Sequence, residues 1–221
     1  MQPQGSLAPD LYRHLETAIQ PERLARYLPA AKGDPEAAFA MYSWNLSLCE
    51  TFVIPLHYGE IVSRIALHRS LVAQTGKKWF DEPTFRALLD PRHRQALDHA
   101  VASENTKHGG AATAHHVVSA LSLGFWRHLT TPRFDRYLWA AGVAAHFPHA
   151  PAGTTRQELN GLMTGMTALR NRIAHHQAIF DKKPMRRFQE IIRLLQWSCP
   201  VTAKYVAAIS KVPLALQARP R

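Results

Sequence analysis

The sequence predicts an all-α protein. Apolar residues recur at three- and four-residue spacing along most of the chain, and proline and glycine fall at the ends of the periodic segments. No run alternates apolar and polar residues between turn signals, as a half-buried strand would. Leu7, Leu11, Leu15 and Ile19, four apart, predict a first helix, and Pro21 opens a short second one carrying Leu24, Tyr27 and Leu28. Asp34 before Pro35 is an N-cap followed by a first-turn proline. Phe39, Tyr42, Leu46, Cys49 and Val53 carry that helix to Pro55, which ends or kinks it. Tyr58, Ile61, Ile65, His68 and Val72 continue the period as far as Gly76.

Asp90-Pro91 starts a helix that runs to about Ser103, and residues 105–113 read as a loop. Helices are expected over 113–129 and 132–146, separated at Thr130-Thr131, then a loop over 147–154 with two prolines and Gly153. Thr155 with Glu158 three residues on is a capping box, opening a long helix through about Gln177. Pro184 and Pro200 open the last two helices.

With 221 residues, 46% hydrophobic and 19% charged, the chain suits one folded domain and excludes a disordered, highly charged one. The expected divisions are N-terminal helices over 1–35, a core over 36–180 and basic C-terminal helices over 181–221. Two cysteines, Cys49 and Cys199, form neither a disulfide framework nor a zinc-ligand spacing. There is no apolar stretch of membrane-spanning length and no charged leader with an apolar run, so the expectation is a soluble cytoplasmic protein. The net charge of +11 is unevenly placed: residues 1–110 hold 12 basic and 12 acidic residues, residues 111–221 hold 15 and 4. That asymmetry points to a polyanion partner, nucleic acid before an anionic membrane, because no long apolar helix face backs the basic one.

The segment with chemistry in it is Arg170-Asn171-Arg172-Ile173-Ala174-His175-His176. Cleavage of RNA by its own 2′-hydroxyl needs a group that moves a proton near neutral pH, which suits histidine, and a fixed cation for the phosphorane, which suits arginine. On a helix Asn171 and His175 are about 40° apart, while Arg170 and His175 are about 140° apart and do not aim at one phosphate. Arg170 falls near the apolar stripe of Leu159, Met163, Met166, Leu169 and Ile173, so it needs a partner or an interface. Two copies packed about a two-fold axis would bring both pairs around one cleft. As a bare pattern these residues also fit a solvated helix end whose cations complement the helix dipole.

Four segments together resemble the Abi-like proteins, the AbiD/AbiF type of phage abortive-infection protein within the HEPN superfamily. Ala38-Phe39-Ala40-Met41-Tyr42-Ser43-Trp44-Asn45-Leu46 is similar to an alanine-rich Tyr-x-Trp-Asn segment, and Glu60-Ile61-Val62-Ser63-Arg64 resembles a Glu-x-x-x-Arg-Asn helix, with Ile65 where the family has asparagine. Ser122-Leu123-Gly124-Phe125-Trp126 resembles a Ser-x-Gly-Phe-Trp turn, and Arg170 to His176 an Arg-Asn-x-x-Ala-His-His signature. The resemblance implies a HEPN-like helical bundle with additional helices, acting as a homodimeric, metal-independent endoribonuclease. It implies a toxin-like effector of antiviral defence, held in check by an antitoxin or a small regulatory RNA. Arg170, Asn171 and His175 would be catalytic, with Glu60, Arg64 and His176 in support. Arg172, Lys182, Lys183, Arg186 and Arg187 are expected to hold RNA, with Arg127, His128, Arg133 and Arg136 as guiding surface.

The alternative is a non-catalytic protein that holds a small RNA in a dimer cleft, and a third reading is a helical protein with an acidic protein partner. No cofactor and no metal are expected, since His115, His116, His146 and His149 lack a converging third ligand. Trp44, Trp126, Trp139 and Trp197 are expected in the core, while Trp79-Phe80 beside Lys77-Lys78 is a candidate RNA contact.

Overall fold

Most helices start where the sequence places proline or a small polar cap. The computed structural model describes residues 14, 17–19 and 21–220. In chain order these form α1 (Pro21–Ala25), α2 (Pro35–Thr51), α3 (Val53–Thr75), α4 (Pro83–Leu88), α5 (Pro91–Lys107), α6 (Ala114–Ala120), α7 (Leu123–His128), α8 (Arg156–Ala174), α9 (Pro184–Ser198), α10 (Pro200–Ile209) and α11 (Val212–Gln217). The fold is all-α, with no strand among the described residues. No helix among them is long and apolar enough to cross a membrane. Leu7, Leu11 and Leu15 lie outside the described residues.

The local signals act as expected. Asp34 accepts from Glu36 N at 2.9 Å, Asp90 from His93 N at 2.9 Å, and Gly76 caps α3 at φ +85°. The centre of the molecule is α9, which lays Phe188, Ile191, Leu194, Leu195 and Trp197 against α3, α8 and α10. Glycine permits that approach: a Cβ on Gly59 would sit 2.7 Å from Met166 Sδ and 3.1 Å from Ile191 Cγ2. Helix α7 closes on α3 and α8, and α11 lies along α2, where Trp44 Nε1 donates to the Ala215 carbonyl at 2.7 Å.

Several expectations are corrected. The segment 132–146 is not a helix but two short 3-10 turns, Pro132–Phe134 and Val143–Ala145, joined by turns. Gly142, at φ +81° and ψ 170°, breaks the helical path, and Trp139 Nε1 donates to Leu129 O at 2.9 Å. Phe134, Leu138, Val143 and Phe147 are buried, so a helix-like apolar spacing here comes from turns wrapped on the core. The segment 113–129 is two helices, because Ser122 stands extended between them and caps α7 with a 3.3 Å bond from Phe125 N. Helix α5 runs on to Lys107, which pairs with Glu104 in its last turn at 2.6 Å. A helix beyond the two expected at the C-terminus, α11, follows α10.

Trp44, Trp126, Trp139 and Trp197 are buried, as expected. Trp79 and Phe80 are buried too, which removes them as an RNA contact. The Trp79 ring meets Phe80, Phe85 and Trp126 edge-on, and its Nε1 donates to His68 Nδ1 at 3.1 Å. His68 is therefore neutral with its proton on the other nitrogen; burial, then His115 and Arg69, push its pKa down. Ile61 and Ile65 do not belong to the buried stripe of α3: with Ile54 they form an exposed one on its outer face, 39–40% accessible.

Candidate functional site

Helix α8 begins on the capping box, with Thr155 N donating to Glu158 at 2.7 Å and Glu158 N donating to Thr155 Oγ1 at 3.2 Å. Its stripe of Leu159, Leu162, Met163, Met166 and Leu169 is buried, leaving Arg170 and Asn171 exposed at the far end. The partner that Arg170 requires comes from α3: Arg170 Nε lies 4.0 Å from Glu60 Oε2. Arg170 Nη1 donates to Asn171 Oδ1 at a long 3.5 Å. Glu60 also pairs with Arg64 one turn on, and Arg64 Nη1 donates to the Ser119 carbonyl of α6 at 3.4 Å. Two guanidinium groups thus share one carboxylate, leaving a net positive charge where α3, α6 and α8 meet. Such a pair is oriented by Glu60, with Arg170 half open to solvent and Arg64 mostly covered.

His175 is not on the helix proper. It caps α8 at φ −96° and ψ 17°, its backbone N donating to Asn171 O at 3.0 Å. Its ring is exposed, and no hydrogen bond or ion pair among the described residues links it to Arg170. His176 takes the left-handed conformation, φ +54°, with His176 N bonded to Ile173 O at 3.0 Å and Gln177 N to Arg172 O at 2.8 Å. That is a Schellman ending, in which glycine is the usual residue. His176 therefore has a backbone role.

The turn after His175 is tied on every side. Arg172 donates twice to the Ala178 carbonyl, at 2.9 and 2.7 Å. Asn45, buried in α2, accepts from Ile179 N at 2.9 Å and Phe180 N at 3.2 Å. Arg23 donates to the His176 carbonyl at 3.3 Å, Arg26 pairs with Asp181 at 2.8 Å, and the Tyr27 and Phe180 rings stack at 5.1 Å. Sequence reasoning missed Arg23, Arg26 and Ser119; Asn45 carried a signal, as a polar residue inside an apolar helix.

Of the residues expected at RNA, Arg172 is occupied by Ala178. Lys182 pairs with Asp181 at 2.9 Å, and Arg186 and Arg187 pair with Glu190 at 2.8 and 2.6 Å. Lys183 and Arg186, with Trp44, Phe180, Met185 and Arg219, line a groove of about 380 Å³. A second groove, about 520 Å³, runs between α5 and α6 past His99, Ser103, Lys107, His116 and Ser119, so it borders the residue that Arg64 holds.

Three possible metal donors do converge, against the sequence expectation: Asp90, His93 and His128. The signal was hidden because His128 joins the pair from another helix. Hydrogen bonds from the His93 backbone and ring hold Asp90 at about 2. Burial, then the neighbouring His93, pushes His128 down to about 4 against the pull of Asp90. No protein-family model matches this chain, and no match is found among the curated proteins or the solved structures.

Proposed function

We propose that the chain is a HEPN-type endoribonuclease that works as a homodimer, an effector of antiviral defence that cuts RNA by attack of the 2′-hydroxyl. The observation that carries the reading is the meeting of Glu60 with Arg170, 4.0 Å apart across two helices, which unites two of the four resembling segments at one charged cluster. Arg170, positioned by Glu60 and beside Arg64, binds the scissile phosphate and stabilises the charge of the transition state. His175 moves the proton, and Asn171 orients the scissile group.

No hydrogen bond or ion pair among the described residues joins Arg170 to His175, and a second copy packed about a two-fold axis brings its own pair to the same cleft. The exposed Ile54, Ile61 and Ile65 stripe on α3, on the same helix as Glu60 and Arg64, supplies the apolar face for that copy. The groove beside Ser119 leads RNA toward the cluster, the Lys183–Arg186 groove offers further phosphate contacts, and binding is salt-sensitive. The reaction needs no metal at the cluster.

The test is cleavage of RNA by the wild type, Arg170→Ala and His175→Ala, with and without EDTA. Each substitution lowers the rate about 10²-fold or more, products end in 2′,3′-cyclic phosphate, and EDTA changes the rate less than twofold. Cleavage that persists in both variants refutes the reading. RNA binding without any cleavage, insensitive to His175→Ala, assigns the chain instead to RNA-holding proteins.

A further inference from the structure

His128 closes α7 with a polar atom in an unusual position. The residue is 8% exposed, and its Nε2 is buried with no hydrogen-bond partner among the described residues. The atom it faces is Asp90 Oδ2, 3.8 Å away, too far for a hydrogen bond. Asp90 is already engaged: its Oδ1 accepts from His93 N at 2.9 Å, and both carboxylate oxygens lie 2.8 and 2.9 Å from His93 Nδ1. The His93 and His128 rings stack with centroids 3.8 Å apart and planes 5° from parallel. One ring nitrogen of each therefore borders the same carboxylate, and the three donor atoms lie within 4.8 Å of one another. A buried nitrogen left unpaired is costly and calls for an explanation.

We propose that Asp90, His93 and His128 bind a divalent transition-metal ion of the zinc class. Two imidazole nitrogens and one carboxylate oxygen are the donor types that select zinc, cobalt or nickel over magnesium or calcium. Tetrahedral coordination at about 2.0–2.2 Å sets the donors roughly 3.3 Å apart with the ion in the plane of each imidazole, so the two rings turn out of their parallel stack, His128 Nε2 closes on Asp90 and His93 Nδ1 draws back from it. The ion takes the place of the proton now shared between His93 and Asp90, and that proton leaves to solvent. Asp90, one-third exposed, opens the path by which the ion and a fourth, water ligand enter.

The ion's role is to join helices. Asp90 and His93 sit at the start of α5 and His128 at the end of α7, a connection with no covalent equivalent in this chain. Thr130, two residues beyond His128, accepts from Asn160 Nδ2 at 2.8 Å in the second turn of α8. Arg170 is ten residues further along that helix, roughly 15 Å away. The site is thus separate from the arginine cluster, and it stands whether or not the cluster cleaves RNA.

The experiment uses the full chain, stripped with chelator and dialysed. Co²⁺ is titrated by visible absorption and Zn²⁺ by calorimetry, with wild type beside Asp90→Asn, His93→Gln and His128→Gln. Asp90→Asn keeps an acceptor for the α5 cap and so serves as the folded control should His128→Gln lose the fold. The expected result is one ion per chain with ligand-field bands of a four-coordinate site. At an ion concentration 100-fold above Kd, the wild-type Tm rises by about 5–10 °C. Each substitution weakens binding by about 100-fold or more. Binding that the three substitutions leave unchanged, or a Tm that does not respond to Zn²⁺, overturns the proposal.

Discussion

Asn45→Ala tests how the turn behind His175 is held. Asn45 is 2% exposed, and its Oδ1 is the acceptor for two backbone donors, Ile179 N and Phe180 N. Alanine removes the acceptor and leaves both. An unsatisfied buried donor costs about 1–3 kcal/mol, and Phe180 is partly accessible to water, so the sum is about 2–4 kcal/mol. For a chain of this length that corresponds to a Tm lower by roughly 5–15 °C. Asn45→Asp separates this effect from simple loss of volume, since it keeps an oxygen where the two N–H groups need one. Thermal denaturation and amide hydrogen exchange together decide the matter. The amides of Ile179 and Phe180 exchange fast in Asn45→Ala and stay protected in Asn45→Asp. An alanine variant that melts within about 2 °C of wild type with both amides protected would refute the account of the turn.

Glu82 gives the pH dependence. Its carboxylate accepts from Thr84 N at 2.9 Å, Phe85 N at 2.5 Å and the Tyr137 hydroxyl at 3.0 Å. Desolvation alone raises its pKa, but the Phe85 and Thr84 amides outweigh that and hold it below the usual carboxylate value. A depressed carboxyl stabilises the fold above the unfolded value of about 4.3 and loses that contribution as pH falls through the folded one. Glu82→Gln therefore lowers the Tm at pH 7, and the gap from wild type closes as the pH falls below the usual carboxylate range; a gap independent of pH contradicts this. His176→Gly, at a left-handed position, holds or raises the Tm by up to about 3 °C, whereas a fall of that size shows that the ring makes stabilising contacts. Gly59→Ala places a Cβ 2.7 Å from Met166 Sδ, which costs about 1–3 kcal/mol in thermal denaturation. A double-mutant cycle with Met166→Ala then gives a non-additive result, and strict additivity would dissociate the cost from that contact.

What the sequence made legible was local. Asp34, Asp90 and Thr155 cap the helices they were expected to cap, because a cap needs only residues two or three positions apart. Trp79 was misread because Lys77 and Lys78 beside it say nothing of what folds over it; His68, Phe85 and Trp126 do that. Segment 132–146 was misread because turns ending at Gly142 reproduce the spacing of a helix face. At the candidate site the need was legible and the answer was not. A cation beside an apolar stripe requires a partner, but only the fold brings Glu60 across from α3 to Arg170. The same holds for His128, whose approach to Asp90 depends on how α7 packs against α5.

The placement of His175 links these features. The last residues of a helix ordinarily fray, since their carbonyls lack partners within the helix. Here the following turn is bound by Arg23, Arg172 and Asn45 through the backbone and by Arg26 and Tyr27 through side chains. Those bonds fix the cap residue without engaging its ring. A histidine ring that no hydrogen bond among the described residues engages is open to solvent, as the proton-transfer role proposed for His175 requires. The same turn ties α2 to the end of α8 across more than a hundred residues of sequence. Trp44 anchors α11 and Asn45 anchors the turn, so the two segments are halves of one support.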